Sequence, residues 1–166
     1  MLASHELFGF MSPELAQEIL NFAYDTDKTL YRAALSGVAE ARKVRSIFLE
    51  RQPRAQRHAS MLSTLSRPGL DLVTGNLIRF WLLKKYNGML ADFLDALQIP
   101  HKEGVVDDLP ATVDDGRLKV AIDALTAKYP QEAVAVYLNA FTDMNEVNWP
   151  SLNTFLQEDK RLQIGG

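Results

Sequence analysis

Apolar residues recur at three- and four-residue steps over most of this 166-residue chain, and the pattern is densest between residues 69 and 99. This is the period of a helix face, whereas a half-buried strand would alternate apolar and polar residues. The pattern breaks at Asn87-Gly88, a pair that tolerates the left-handed backbone found at helix ends. The sequence therefore predicts two helices over 69–86 and 88–99, with one kinked helix as the alternative. Apolar side chains surround this stretch almost completely, so we expect it to be central.

Helix-start signals precede three further segments in the first half of the chain. Ser12-Pro13 combines a hydroxyl cap with proline at the first helical position. Thr26-Asp27 caps a segment whose apolar period continues to Phe48, which predicts one helix of about 20 residues. The third segment opens at a proline, and its inward residues are expected to be Ala55, Ala59, Leu62 and Leu65.

The second half of the chain shows signals of the same kind. Thr112, with Asp115 three residues later, approximates a capping box and predicts a helix start. Segment 133–141 is apolar on almost every side, and the proline and acidic residue before it favour a buried helix over a strand. Trp149-Pro150 opens a last short helix.

These elements predict an all-α fold, either a single-domain multi-helix bundle or a short helical array, with about seven helices. Residues 1–11 are expected to form an irregular or lightly docked N-terminal arm, 12–158 the helical domain, and 159–166 a frayed C-terminal tail. Charged residues interrupt the central stretch, so no run approaches the roughly 18 apolar residues that a membrane span needs. With no cysteine and no secretory signal in the first residues, a soluble cytoplasmic protein is expected.

Charge is distributed unevenly along the chain, although the net charge is only −3. Residues 1–27 carry five acids and no lysine or arginine, for a net charge of −5. Residues 28–86 carry twelve cations and three acids, net +9, and residues 87–166 carry six cations and thirteen acids, net −7. Such an asymmetry indicates a possible charged partner. The candidate anion- or partner-binding residues are Arg42, Lys43, Arg45, Arg51, Arg54 and Arg57.

This basic region allows three interpretations. Its cations can bind an acidic protein surface, which includes the acidic surface of a second copy of the chain. They can bind nucleic acid or another polyanion, although Phe48 is the only aromatic residue among them and single-strand binders need stacking platforms. They can also be neutralised by acidic segments of the same chain, with no binding role.

Candidate chemistry is sparse. The absence of cysteine excludes disulfides and thiolate metal sites, and no histidine–carboxylate spacing places ligands on one helix face. No metal and no cofactor is therefore predicted. His101 lies near several carboxylates and forms, with Tyr86 and Tyr129, the candidate pocket. His58 stands among arginines, is expected near the surface, and should have a lowered pKa because the neighbouring cations disfavour its charged form.

The sequence thus favours a protein-interaction or structural module that acts through a charge-asymmetric helical surface, rather than an enzyme. A protein partner or self-association is favoured over nucleic acid, and no membrane partner is expected. The first alternative is nucleic-acid or other polyanion binding through residues 28–86. The second is a small-molecule-binding or catalytic helical bundle with a site near His101.

Overall fold

The computed structural model describes residues 2–165, and all regular elements in this range are helical. The α-helices are α1 (Ser4–Phe10), α2 (Pro13–Thr26), α3 (Lys28–Ala41), α4 (Ser46–Glu50), α5 (Arg54–Leu65), α6 (Asp71–Lys85), α7 (Asn87–Ala96), α8 (Asp115–Lys128), α9 (Gln131–Asn145) and α10 (Pro150–Glu158). A short 3₁₀-helix (Lys160–Leu162) follows α10. The all-α class is confirmed, but ten α-helices over the described range exceed the predicted seven.

Contacts divide the described chain into two compact units, residues 2–81 and 82–165. The division falls between Trp81 and Leu82, within α6. The single helical domain that the sequence predicts over 12–158 stays a prediction.

The long helix predicted from Asp27 is in fact two helices, α3 and α4, because the backbone leaves the helix at Lys43. Lys43 has a φ of 58°. Its N–H donates to the Glu40 carbonyl at 3.1 Å, and the Val44 N–H donates to the Ala39 carbonyl at 3.0 Å. These two bonds form a Schellman motif, which closes the carboxyl end of a helix. The prediction missed it because lysine, and not glycine, occupies the left-handed position.

The central stretch forms two helices as predicted, α6 and α7, separated by Tyr86. Asn87 and Gly88 are the first residues of α7, and neither has a positive φ. The expectation of a left-handed residue at this pair is therefore wrong. The left-handed residue is Gln98, with a φ of 57°, where α7 ends in a second Schellman motif.

In the unit of residues 2–81, the N-terminal segment is a helix with a buried face, and not an irregular arm. Leu7 and Phe8 of α1 are buried. The backbone N–H and the Nδ1 atom of His5 both bond to the Asp71 carboxylate at the start of α6, at 3.0 and 2.8 Å. These contacts hold α1 against α6.

The buried face of α5 differs from the predicted one. Ala55 and Ala59 are exposed, whereas His58, Met61 and Leu65 are buried. His58 is only 1% exposed, so the expectation that it lies near the surface is wrong. The face is rotated because His58 finds a hydrogen-bond partner inside this unit, which allows a polar side chain to be buried.

In the unit of residues 82–165, α9 is the buried helix that its apolar sequence predicts. Every residue from 133 to 142 is buried. Phe93, Tyr137 and Phe141 pack with ring centroids 5.5 to 5.8 Å apart, and Trp149 packs on Phe141 at 4.8 Å. This aromatic cluster is the centre of the unit.

Two predicted boundaries in this unit are wrong. The cap of α8 is Asp114, whose carboxylate accepts the Arg117 N–H at 3.0 Å, and not Thr112. The segment after α10 is not frayed, because Leu162 is buried and its carbonyl accepts a hydrogen bond from the buried Asn139 amide at 2.8 Å. Sequence spacing could not show this contact between distant residues.

We expect Asn139→Ala to lower the free energy of unfolding of this unit by about 1–3 kcal/mol, because the buried Leu162 carbonyl would lose its side-chain donor. Chemical denaturation followed by circular dichroism measures the change, and limited proteolysis reports whether segment 159–165 is released. Asn145→Ala is the matched control, since within residues 2–165 the Asn145 amide bonds only to Phe141 of its own helix. Equal effects of the two substitutions would contradict the expectation.

Candidate functional site

A surface that is both basic and apolar is formed by the turn after α3 and by α4. Three large apolar side chains are exposed there, Val44 at 43%, Ile47 at 44% and Phe48 at 59%. The exposed cations interspersed with them are Arg42, Lys43, Arg45 and Arg51. We call these seven residues the basic-apolar face.

The local structure explains why these side chains are exposed. The Schellman motif at Lys43 ends α3 before its apolar period is complete. Helix α4 has only five residues, and of these Leu49 alone is buried. One anchoring side chain therefore holds the segment, and its other apolar residues remain in contact with water.

The cations of this face lack close acidic partners among residues 2–165. None of the four forms a salt bridge there, and Arg42 donates only to the Ser60 carbonyl, at 3.4 Å. Exposed apolar side chains that lie together are one of the features by which interaction sites are recognised, so this face is a candidate site.

Arg42 also lines a cavity of about 430 Å³ together with Ala41, Ser63, Thr64, Arg67, Pro68, Gly69 and Leu70. Its polar groups are two guanidinium groups and two hydroxyls. The cavity therefore extends the positive charge of the face towards the end of α5.

Arg54 and Arg57, the other two predicted cations, belong to a different surface around Tyr24. Lys28 Nζ lies 3.9 Å from the centroid of the Tyr24 ring, Arg54 Cζ 4.1 Å and Arg57 Cζ 5.5 Å. The negative face of the ring attracts these cations. Arg54 also lies 3.9 Å from the Asp25 carboxylate. The six predicted residues thus lie on two different surfaces.

A chain of hydrogen bonds connects Arg57, Tyr31 and the buried His58. Arg57 Nε donates to the Tyr31 hydroxyl at 2.8 Å, and this hydroxyl donates to His58 Nε2 at 2.8 Å. Burial, and then the charges of Arg57 and Arg54, lower the pKa of His58 to about 4. His58 is therefore neutral at pH 7, as its acceptor role requires, and the predicted direction of its pKa shift is confirmed.

A small cavity of about 190 Å³ lies beside this chain of hydrogen bonds. We call it the Tyr24 pocket, and its lining consists of Tyr24, Lys28, Tyr31, Arg32, Leu35, Glu50 and Arg57. Of its six polar residues only Arg57 was predicted from the sequence; the other five are Tyr24, Lys28, Tyr31, Arg32 and Glu50. Lys28, Tyr31 and Arg32 lie three and four residues apart on α3, and this spacing on one helix face was the available signal.

His101 lies in a groove of about 410 Å³ that we call the acidic groove. It is lined by Pro100, His101, Lys102, Val105, Asp107 and Asp108. The Gly104 N–H donates to His101 Nδ1 at 3.1 Å, so the proton of the neutral ring is on Nε2, which donates to Asp95 at 2.7 Å. Both ring nitrogens are engaged, so the groups that the groove offers to a partner are the exposed carboxylates of Asp107 and Asp108, the apolar Val105 and the ammonium of Lys102.

Tyr86 and Tyr129, the tyrosines predicted beside His101, are not part of the lining of this groove. Tyr129 donates to Asp92 at 2.5 Å, and Lys128 Nζ bonds to the same carboxylate at 2.8 Å. The hydrogen bond from Lys128, and then that from Tyr129, lower the pKa of Asp92. Tyr86 lies between α6 and α7, with Lys85 Nζ 5.9 Å from its ring centroid.

Within residues 2–165, no three histidine, aspartate or glutamate side chains are grouped so that they could hold a metal ion. In the same range, no helix combines the length and the apolar character needed to cross a bilayer.

No protein-family model, no curated protein and no solved structure gives a significant match to this chain. Its function is therefore inferred from its own geometry and charge.

Proposed function

We propose that this chain is a protein-interaction module that self-associates, with the basic-apolar face of one copy binding the acidic groove of a second copy. The cytoplasmic location predicted from the sequence is part of this proposal. The observation that supports it best is that the four cations of the face have no salt-bridge partner among the described residues while Phe48 beside them is 59% exposed.

The two surfaces are complementary in charge and in polarity. Asp107 and Asp108 outweigh the single charge of Lys102 in the groove, and Val105 is an exposed apolar residue of its lining. An aromatic anchor flanked by arginines is typical of the residues that dominate binding energy at protein interfaces. Arginine also binds carboxylates through two parallel hydrogen bonds. We expect Phe48 to enter the groove while the flanking arginines reach the two aspartates.

The proposed contact joins two different surfaces, so it is heterologous. In a pair, one copy keeps an unused groove and the other keeps an unused face, so further copies can add head to tail. Because the attraction is largely between exposed charges, salt should weaken the assembly.

The test uses one charge reversal on each surface, Arg45→Glu on the face and Asp108→Lys in the groove. Wild-type protein is expected to form oligomers at low salt, and each variant alone to be monomeric at the same concentration. An equimolar mixture of the variants is expected to give a 1:1 heterodimer and nothing larger. The Asp108→Lys copy keeps an intact face and the Arg45→Glu copy keeps an intact groove, so one contact can form. Sedimentation velocity and native mass spectrometry measure these species.

The controls are changes at exposed residues of α6 that lie outside the face. Arg79→Glu reverses a charge, and Leu72→Ala removes an apolar side chain that is 79% exposed. Both should assemble as the wild type does, whereas Phe48→Ala should be monomeric. Wild-type protein that is monomeric at low salt overturns the proposal. If such a monomer binds a labelled oligonucleotide and loses it on Arg45→Glu, the nucleic-acid alternative replaces self-association.

A further inference from the structure

We infer that the Tyr24 pocket is a binding site for a phosphate group. The pocket lies in the unit of residues 2–81 and is bounded by side chains from α2, α3, α4 and α5. Its volume of about 190 Å³ is below the range of roughly 300–1,000 Å³ that is typical of sites for drug-sized ligands. A ligand that fits it must therefore be small, or be one small group of a larger molecule.

Three cations line the pocket, Lys28, Arg32 and Arg57, against one carboxylate, Glu50. Neither Arg32 nor Lys28 forms a hydrogen bond or salt bridge with residues 2–165, and the Lys28 ammonium lies over the face of the Tyr24 ring. Both cations are therefore available to a ligand. Several cations that converge with an excess of positive charge are the usual means of holding phosphate.

Arg57 is already fixed in position. Its Nε donates to Tyr31, and its Nη1 donates to the carbonyls of Glu50 and Gln52 at 3.2 and 3.5 Å. Its Nη2 has no partner among the described residues and remains for a ligand. Tyr31 is held in turn by His58. A guanidinium that is held in place before binding loses little conformational entropy when a ligand arrives, which favours affinity.

The lowered pKa of Tyr24 agrees with a positive electrostatic potential at this site. The guanidinium of Arg54, and then the charge of Lys28, lower the pKa of the Tyr24 hydroxyl. A potential that favours a tyrosinate anion also favours a bound oxyanion, since both place negative charge near the same cations.

Two substitutions of the same kind should change phosphate affinity in opposite directions. Arg32→Gln removes a cation that has no structural partner, and we expect it to weaken phosphate binding by about tenfold. Glu50→Gln removes the one carboxylate of the lining, and we expect several-fold tighter binding. Neither change touches the Arg57–Tyr31–His58 hydrogen bonds, because Glu50 takes part through its backbone carbonyl only.

The measurement is the ¹H–¹⁵N NMR shift of backbone amides during titration with inorganic phosphate, at a salt concentration that keeps the chain monomeric. A second arm uses a phosphoserine peptide, which distinguishes a phosphorylated protein from free phosphate as the source of the group. Arg79→Gln and Glu40→Gln are the charge-matched controls, since both residues are exposed and lie outside the lining. Saturable shifts at residues 24–32 that respond to both pocket variants support the inference. A parallel titration with chloride is the reference for a nonspecific anion effect. The inference is overturned if phosphate causes the same shifts as chloride, or if the phosphate affinity is unchanged in Arg32→Gln and Glu50→Gln.

Discussion

Replacing Trp149 with alanine is expected to lower the free energy of unfolding of the 82–165 unit by about 3–5 kcal/mol. The Trp149 ring is fully buried and packs on Phe141, which in turn contacts Phe93 and Tyr137. Alanine would leave a cavity at the edge of this aromatic cluster. It would also remove the indole N–H that donates to the Pro110 carbonyl at 2.8 Å, a bond that holds the loop before α8.

Two further variants separate these effects. Trp149→Phe keeps most of the ring packing and loses the hydrogen bond, so we expect a smaller loss of about 1–3 kcal/mol. Val120→Ala changes an exposed apolar residue of the same unit and should stay within about 0.5 kcal/mol of the wild type. Urea denaturation followed by far-ultraviolet circular dichroism avoids reliance on tryptophan fluorescence. A Trp149→Ala variant as stable as Val120→Ala would show that the cluster does not carry the stability of this unit.

The sequence predicted the helical class well because the apolar period of 3.6 residues is a local property that each segment carries by itself. Segment 133–141 is an example, since its helical period and proline start led to the buried helix α9. The ends of the helices were harder to predict from the sequence. Lys43 and Gln98 adopt left-handed backbone without being glycine, and the hydrogen bonds that favour this depend on the helix that precedes them. Asn87-Gly88 has the expected composition but continues as helix.

The candidate sites were predictable only in part, for a related reason. Charge counting located the basic region but could not separate Arg45, which has no acidic partner among the described residues, from Arg54, which lies near Asp25 and packs on Tyr24. That distinction depends on residues that are distant in sequence. The burial of His58 could not be predicted for the same reason. It depends on a hydrogen bond with Tyr31, 27 positions away, and no local sequence pattern indicates that partner.

Acidification from pH 6.5 to pH 4 is expected to reduce the stability of the 2–81 unit by about 3 kcal/mol through His58 alone. The pKa of His58 is lowered to about 4 in the folded chain, by burial first and then by Arg57 and Arg54. In the unfolded chain the pKa returns to about 6.5. Between these two values the unfolded state binds a proton that the folded state does not, so unfolding becomes more favourable as the pH falls. The contribution is fully present above about pH 6.5.

The structure explains why the folded chain disfavours the protonated ring. His58 Nε2 accepts a hydrogen bond from the Tyr31 hydroxyl, and protonation would turn this nitrogen into a donor that faces another donor. To accept from a protonated ring, the Tyr31 oxygen would have to take two cationic donors, Arg57 Nε and His58 Nε2, and turn its own proton away from the ring. A protonated ring would also lie near the positive charges of Arg57 and Arg54, which the opposing charge of Asp25 offsets only in part.

The test compares wild type with His58→Gln, a neutral residue whose amide oxygen can accept the Tyr31 hydrogen bond. Denaturation at a series of pH values should show a stability slope between pH 4 and 6.5 in the wild type, and a much flatter slope in the variant. Aspartates with a lowered pKa, such as Asp71, also destabilise the folded state on acidification, but they do so at lower pH and in both proteins. Their effect therefore cancels in the comparison. NMR titration of the His58 ring gives a direct check, and a midpoint near 6.5 would show that the ring is not held neutral by its surroundings.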